Sequence, residues 1–571
     1  MRFILLATDY DGTLASDGKV NDSTTTALER VRASGRKLVL VTGRHLPDLS
    51  NVFARVDLFD RIVVENGGVL YQPETRTERV LSEPPNPRFI ALLEERKIPF
   101  SLGRTIVATW QPHEEAVLSA IRESGLDLQM IFNKGSVMVL PSGVNKGTGL
   151  RSALDELGIS PHNVVSVGDA ENDLAFLRMS ACSVAVANAL PSVKEKADVV
   201  LDKQRGDGVI ELSTRLIKDD LADFDGKLER ETISLGRRPD SSDKGDIFVN
   251  PRHGSILVAG PSGSGKSTAV AGLLEQFGAR EYQFCLIDPE GDYEGFTHAL
   301  SFGNAKNPPD VEALLRALEQ PKESVLVDLL AVAIDDRPKF FSSLLPQIQD
   351  LRTRTARPHW VVVDEAHHML PSSASSLGST LPQVLQATLL ITVHPEHVAA
   401  AALNAVDVVV AIGKPVEVFR AFAEAVHISP PRLEEGELAT GEAMLWFHRT
   451  GKPPVRVKTI QSTKERLRHV RNYAEGELSQ EQSFYFRGRK SKLNLRAQNL
   501  RTFLQLADGI DDETWMYHLQ KHDYSGWFRS VIKDDELGQQ AAEIERDNSL
   551  SPEESRHRIK EAVERRYTAP A

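Results

Sequence analysis

Two short apolar segments of this chain run straight into polar turns that serve a purpose only at the carboxyl edge of a parallel sheet. Phe3–Thr8 leads into Asp9-Tyr10-Asp11-Gly12-Thr13. About 250 residues later, Ile256-Leu257-Val258-Ala259 leads into Gly260-Pro261-Ser262-Gly263-Ser264-Gly265-Lys266-Ser267-Thr268. Open α/β sheets bind ligands in the crevice beyond their strand ends. Two such turns this far apart predict two separate α/β sheets, and 571 residues are enough for both with material left over.

The strand pattern agrees. Phe3–Thr8, Lys37–Thr42, Arg61–Glu65, Val164–Val167, Ser183–Ala187 and Asp198–Leu201 are β-branched and apolar on both faces, as buried parallel strands are. A helix opening at Asp22 or Ser23 and closed by Gly35 separates the first two. The expected fold is a doubly wound, Rossmann-like domain over residues 1–217, with a small α+β cap inserted at about 84–140. Residues 218–250 read as a charged linker with strands leading into the next domain. Over 251–462, Ser255–Gly260, Gln283–Asp288, Ser324–Asp328, His359–Asp364, Thr388–Val393 and Asp407–Ile412 predict a RecA-like P-loop α/β domain. Strand signals largely stop after that, and 463–571 read as a mainly helical C-terminal module.

Composition narrows the classes. There is no uninterrupted apolar run of about 18 residues, so no membrane span is expected. Two cysteines, far apart and without partners at metal-ligand spacing, fit a reducing, cytoplasmic compartment rather than a disulfide framework. A net charge of −12 disfavours global attraction to nucleic acid, yet Lys452–Arg501 carries 13 Lys/Arg against 4 Glu. That segment is the place where nucleic acid would bind, tracking phosphates.

At the first turn, Asp9 and Asp11 flank one residue, so both carboxylates can face the crevice. A carboxylate attacks an anionic phosphate ester only if a cation screens the repulsion and an acid protonates the leaving oxygen. The chain supplies the rest: Thr42 and Arg44 at the end of the second strand, Lys146 at a helix start, and Gly168-Asp169-Ala170-Glu171-Asn172-Asp173 at a later strand end. A hydroxyl, a lysine and further carboxylates at such positions make a Mg²⁺ phosphotransfer site.

This order of motifs resembles the haloacid dehalogenase superfamily, in its Cof-type branch, over residues 1–215. The resemblance implies that Asp9 is the nucleophile and becomes an aspartyl phosphate, and that Asp11 is the general acid, then base. It implies that Thr42 and Lys146 hold the phosphoryl oxygens, and that Asp9, Asp169, the Asp11 backbone carbonyl and Asp173 hold Mg²⁺. Asn172 and Asn188 would support them. It implies a small phosphorylated metabolite as substrate, of the sugar phosphate or phosphoglycolate class. Arg44, Asn66, Arg104 and Lys134 are candidates to reach it.

In the second turn, Gly260, Gly263, Ser264 and Gly265 let backbone N–H groups face the phosphates of ATP. Lys266 reaches the β/γ-phosphates, Ser267 ligates Mg²⁺ and Thr268 opens the helix. Trp360-Val361-Val362-Val363-Asp364-Glu365 supplies a partner strand on which Asp364 holds Mg²⁺ through water and Glu365 polarises the attacking water, a hydrolase pattern. With Leu286–Tyr293 and Leu389–His394, residues 230–460 resemble the HerA/FtsK-type translocase ATPases. That resemblance implies a homo-oligomer formed through the ATPase domain, a polar sensor at Thr392 or His394, and an arginine from a neighbouring subunit, for which Arg420 and Arg449 are candidates.

The tail, with Trp515-Met516-Tyr517-His518-Leu519 and His522–Phe528, resembles a small helical module appended to bacterial regulatory and enzymatic proteins. His518 and His522 could share a metal there, or belong to an aromatic core. The resulting expectation is a Mg²⁺-dependent phosphatase joined to an ATPase. The alternatives are a kinase–phosphatase of nucleic-acid end repair, and a regulatory protein whose P-loop domain senses ATP and whose output is the phosphatase.

Overall fold

The computed structural model of the chain describes all residues except 134, 229–231, 240–244, 251–253, 294, 374–386, 434–435, 437, 461, 463–477, 479–482, 489–492, 533, 548 and 568–571. It forms two compact units, Met1–Pro289 with His298–Gln461, and Glu290–Thr297 with Ser462–Ala571.

The first sheet contains β1 (Leu5–Asp9), β2 (Lys37–Val41), β3 (Arg61–Val64), β4 (Val69–Gln72) and β5 (Thr77–Val80). The cap follows, with β6 (Ser101–Leu102), β7 (Val107–Trp110), β8 (Leu128–Asn133) and β9 (Ser136–Pro141). The chain then returns to the first sheet with β10 (Val164–Gly168), β11 (Cys182–Ala185) and β12 (Val199–Val200). The eight-stranded order is β12-β11-β10-β1-β2-β3-β4-β5, parallel except for the antiparallel β4 and β5. The sequence reading missed those two. β5 is exposed along its length and carries no buried-strand signature. Helices Asp22–Ala33 and Arg205–Asp219 pack together, the former capped by Asn21, whose side chain accepts from the Thr24 backbone. The cap is its own antiparallel sheet, ordered β6-β7-β9-β8, over a core of Phe89, Leu93, Val117 and Ile121.

The second sheet has eleven strands: β13 (Ile233–Arg237), β14 (Asp246–Val249), β15 (Ile256–Ala259), β16 (Phe284–Asp288), β17 (Leu300–Phe302), β18 (Val325–Asp328), β19 (Trp360–Val363), β20 (Thr388–Thr392), β21 (Val408–Ile412), β22 (Glu442–Trp446) and β23 (Val455–Lys458). The order is β14-β13-β23-β22-β21-β15-β20-β19-β16-β18-β17, parallel from β21 to β17 and antiparallel beyond β21. One strand, β20, therefore stands between the phosphate-loop strand β15 and the acidic strand β19.

The two sheets belong to one unit, and the segments near their lysine-bearing helices touch. Helix Lys146–Leu157 starts at Lys146 and helix Lys266–Ala279 at Lys266. From the first helix, Arg151 pairs with Glu281, just past the end of the second, at 2.9 Å, and Asp155 pairs with Lys322 at 3.0 Å. His162 stacks on Tyr282, with ring centroids 3.8 Å apart, and its Nε2 lies 2.6 Å from the Arg280 carbonyl oxygen. Arg357, almost fully buried, donates to the carbonyls of Gly158, Leu318 and Glu319. Gly158 caps the Lys146 helix in a left-handed conformation, so an arginine beside the second sheet satisfies a carbonyl at the end of a helix of the first.

In the second unit, the hairpin β24 (Phe484–Phe486) and β25 (Leu495–Ala497) and helices from Leu500 to Tyr567 enclose an aromatic core of Phe484, Phe503, Trp515, Tyr524 and Trp527. His518 and His522 do not share a site. His518 sits 2.7 Å from Asp523 and accepts from the Arg487 amide, while His522 faces Glu545 at 3.2 Å. A buried ring with both nitrogens engaged is a core residue rather than an open ligand.

Candidate active site

β1 and β10 are neighbours, with Thr8 opposite Val167, so Asp9 and Asp169 emerge side by side at the carboxyl edge. Asp173 follows on a short turn that folds back, its Oδ2 accepting from the Asp169 and Ala170 amides at 2.9 Å each. Lys146 comes to this point on its helix. Asn145 caps that helix, accepting from the Gly147 and Thr148 amides. Glycine is required underneath: a Cβ on Gly67, which has φ 106°, would fall 2.0 Å from the Asn145 carbonyl oxygen. The Lys146 ammonium lies 2.5 Å from Asp9 Oδ1 and 2.6 Å from Asp173 Oδ1, and all three side chains are buried. Burial, helped by the neighbouring Asp173 charge, pushes Asp9 up to about 8 in spite of Lys146. Burial alone would lower Lys146, but the Asp173 and Asp9 carboxylates hold it above its usual range.

Asp9, Asp169 and Asp173 offer carboxylate oxygens within 4.8 Å of one another. Three buried carboxylates against one ammonium leave a deficit of positive charge, and oxygen donors of this kind suit Mg²⁺. When bound there, Mg²⁺ screens the charge of a phosphoryl group next to Asp9. Thr13 Oγ1 donates to Asp169 Oδ1 at 3.4 Å. Asn188 ties the Asp9–Thr13 turn down, donating to the Gly12 carbonyl and accepting from the Arg205 amide.

Asp11 is held apart from the acidic cluster by a two-pronged pair with Arg44, Nε to Oδ2 and Nη2 to Oδ1, both at 2.7 Å. Arg44 also reaches Asp48. Thr42 is fully buried, and its Oγ1 accepts from the Arg44 amide. The cap is latched by Glu65. Its Oε1 accepts from the Arg104 amide, and its Oε2 from the Thr105 amide and hydroxyl, at 2.8–3.0 Å. Burial opposes ionisation of Glu65, but these bonds and the nearby His45 hold it down at about 2.

At the other sheet, Gly263 and Gly265 adopt φ 74° and 95° with open space on their Cβ side, and the Lys266 ammonium rests on the Gly260 and Pro261 carbonyls. Ser264 Oγ is buried without a hydrogen-bond partner. Asp364 is buried at the end of β19, and Glu365 follows it in a left-handed conformation (φ 42°). Thr392 Oγ1, at the end of β20, accepts from the His394 amide and lies 3.1 Å from His367 Nδ1. A lysine over an open glycine cradle, opposite an Asp-Glu pair, is the donor set for ATP and Mg²⁺.

Residues 6–123 and 113–212 match the haloacid dehalogenase-like hydrolases, and residues 250–394 match an AAA domain. Over 220 residues the chain is 30% identical to phosphoglycolate phosphatase 2 of Saccharolobus solfataricus, spanning 38% of this chain and 92% of that protein. The chain belongs to the haloacid dehalogenase-like hydrolases. A second relative of this hydrolase, the phosphoglycolate phosphatase of Methanothermobacter thermautotrophicus, is 30% identical over 218 residues, 37% of this chain and 98% of that one. A solved haloacid dehalogenase-like hydrolase from Bacteroides thetaiotaomicron aligns with a TM-score of 0.34 at 21% identity, over 38% of this chain and 99% of its own.

Within this haloacid dehalogenase-like hydrolase the structure brings Asp9, Lys146, Asp169 and Asp173 together; Thr42 is buried at the end of the neighbouring β2, and Asp11 is turned to Arg44. Two substrate candidates are otherwise employed. Arg44 is committed to Asp11 and Asp48. Asn66 is buried, accepting from Asn172 Nδ2 and donating to Met138 Sδ of the cap. Arg104 lies on the surface near Glu78, and Lys134 falls outside the described residues. Glu65 was missed in the sequence. The signal was there in Asn66-Gly67-Gly68, a run that follows a strand and accommodates left-handed backbone, but its partners come from 40 residues away. Of the arginines considered for a neighbouring subunit, Arg449 pairs with Asp407, and Arg420 is exposed on helix Pro415–Ala425.

Proposed function

We propose that the chain hydrolyses a small phosphomonoester, of the phosphoglycolate or sugar phosphate class, through an aspartyl phosphate on Asp9. One observation carries this reading: Asp9, Asp169 and Asp173 are buried around Lys146 at one sheet edge, beneath a latched cap. An Asp9 oxygen attacks phosphorus, the P–O bond to the alcohol breaks, and Asp11 gives its proton to the departing oxygen. Asp11 then takes a proton from the water that releases inorganic phosphate. Asp11 does this only after turning from Arg44, so Arg44 sets when the acid is available. Phosphoglycolate is supported by the likeness to the two phosphoglycolate phosphatases. A Mg²⁺ assay of the full chain on 2-phosphoglycolate, sugar phosphates and nucleic-acid 3′-phosphates tests it. Turnover confined to the 3′-phosphates would favour end repair instead, and no turnover of any would overturn the reading.

A second reading, an ATP sensor with a phosphatase output, is favoured by the contacts between the two domains, Arg151 with Glu281 and His162 stacked on Tyr282. It expects a non-hydrolysable ATP analogue to change phosphatase kcat/KM, and His162→Ala to abolish that response. An unchanged rate would leave two independent activities. A reducing, cytoplasmic setting is supported by two buried free thiols. Among the described residues, no helix is long and apolar enough to cross a membrane. Nucleic acid as a partner rests on the charge of Lys452–Arg501, a segment only part of which lies within the described residues, and a homo-oligomer rests on the ATPase resemblance. Anisotropy with DNA at two salt concentrations and sedimentation with ATP test these two.

A further inference from the structure

The loop after β20, which carries the sensor candidate His394, also brings Glu396 and a second histidine, His397, to the same place. His394, Glu396 and His397 present ligand atoms within 4.8 Å of one another, and all three side chains are exposed to solvent. The His394 Nδ1 to Glu396 Oε1 separation is 3.1 Å. Two donors of a tetrahedral zinc ion, at bond lengths of ~2.0–2.1 Å, sit ~3.3 Å apart, so this pair already has nearly the right spacing. The His394 and His397 rings are 4.9 Å apart. The loop is held by its backbone rather than by these side chains. Ser372 donates to the His397 carbonyl, Ala399 to the Leu370 carbonyl, and Pro395 and Val398 are buried. The three ligating groups can therefore turn toward an ion without rebuilding the loop.

We propose that His394, Glu396 and His397 form a site for a divalent transition metal of the zinc class, separate from the two Mg²⁺ sites. Two imidazoles and one carboxylate prefer such an ion over Mg²⁺, which takes oxygen ligands. Solvent supplies the fourth position, as exposure of all three groups allows. The site adjoins the ATPase centre. The His394 ring meets His367 edge-on at 5.8 Å, and His367 Nδ1 lies 3.4 Å from Glu365 Oε2. An ion that holds His394 restrains His367, and through it the glutamate that orients water.

The test uses the full chain, stripped with a chelator and kept in saturating Mg²⁺ to occupy the acidic cluster. Titration with Co²⁺ should give visible absorption of a tetrahedral, nitrogen-containing site at one equivalent, displaced by Zn²⁺. His394→Ala/His397→Ala should lose that absorption, and Glu396→Gln should weaken binding by roughly tenfold or more. All three positions are exposed, so circular dichroism should match the parent. Zn²⁺ should change ATP hydrolysis by the parent but not by His397→Ala. Equal Co²⁺ absorption in the parent and the double variant would overturn the site. A parent ATPase rate indifferent to Zn²⁺ would overturn its link to Glu365.

Discussion

Replacing Lys146 with Met tests whether the acidic cluster is held together by one ammonium. The side chain keeps its length and loses its charge. In the parent the ammonium is 2.5 Å from Asp9 and 2.6 Å from Asp173, and only 2% exposed. At an effective dielectric of about 20, each such contact is an attraction of about 6 kcal/mol before desolvation is counted. Removing one partner of a buried pair leaves a net cost of ~3–5 kcal/mol, because the remaining charges stay buried. The chain has several domains, so a single melting curve would mix their transitions. Hydrogen exchange at the β1 and β10 amides reads the local opening free energy instead. Without divalent ions those amides should exchange about 10²–10⁴-fold faster in the variant. Saturating Mg²⁺ should recover more protection in the variant than in the parent, since the ammonium no longer opposes the ion. Exchange within about threefold of the parent without Mg²⁺, or equal protection by Mg²⁺ in both proteins, would refute the reasoning.

Asp9→Asn keeps the shape of the nucleophile and removes its charge, so p-nitrophenyl phosphate hydrolysis should fall by orders of magnitude; activity within about tenfold of the parent would sink the assignment. Lys266→Ala should abolish ATP binding in calorimetry, whereas Glu365→Gln should bind ATP and hydrolyse it poorly; normal hydrolysis by the latter would remove Glu365 as the residue that activates water. Glu65 is held at about 2 against a usual 4.5, so its carboxylate stabilises the cap junction fully above about 4.5, and that contribution disappears as pH falls toward 2. Exchange at the β3 and β7 amides should therefore be faster in Glu65→Gln than in the parent at pH 7, with the gap closing between pH 4.5 and 2. A gap that stays constant through that window would show that the latch does not depend on the charge of Glu65.

Legibility in the sequence followed locality. Strands β1, β2, β10, β15 and β19 stood out because both faces are buried, which writes a run of apolar residues. The two turns stood out because each packs its chemistry into a few consecutive residues after such a strand. The antiparallel additions were less legible: β5 is exposed, and β13 joins the sheet through β23, at the far end of the same domain. His518 and His522 looked like a pair because their spacing is helical, but a helix break at His522, in left-handed conformation, sends them to Asp523 and Glu545.

The sequence by itself determined that two α/β sheets exist, and that one runs into an Asp-Tyr-Asp turn and the other into a glycine-rich loop opening on a lysine. Those features are local, set by side-chain period and by glycines at turns that demand them. Only the tertiary structure decided that Arg44 grips Asp11 rather than substrate, that Glu65 latches the cap, and that the segments following the two lysine helices meet through His162, Tyr282 and Arg357. Each of these joins residues tens to hundreds apart whose individual preferences are satisfied equally well by water. A charge or a ring on a helix end carries no mark of its partner until packing removes the solvent around it.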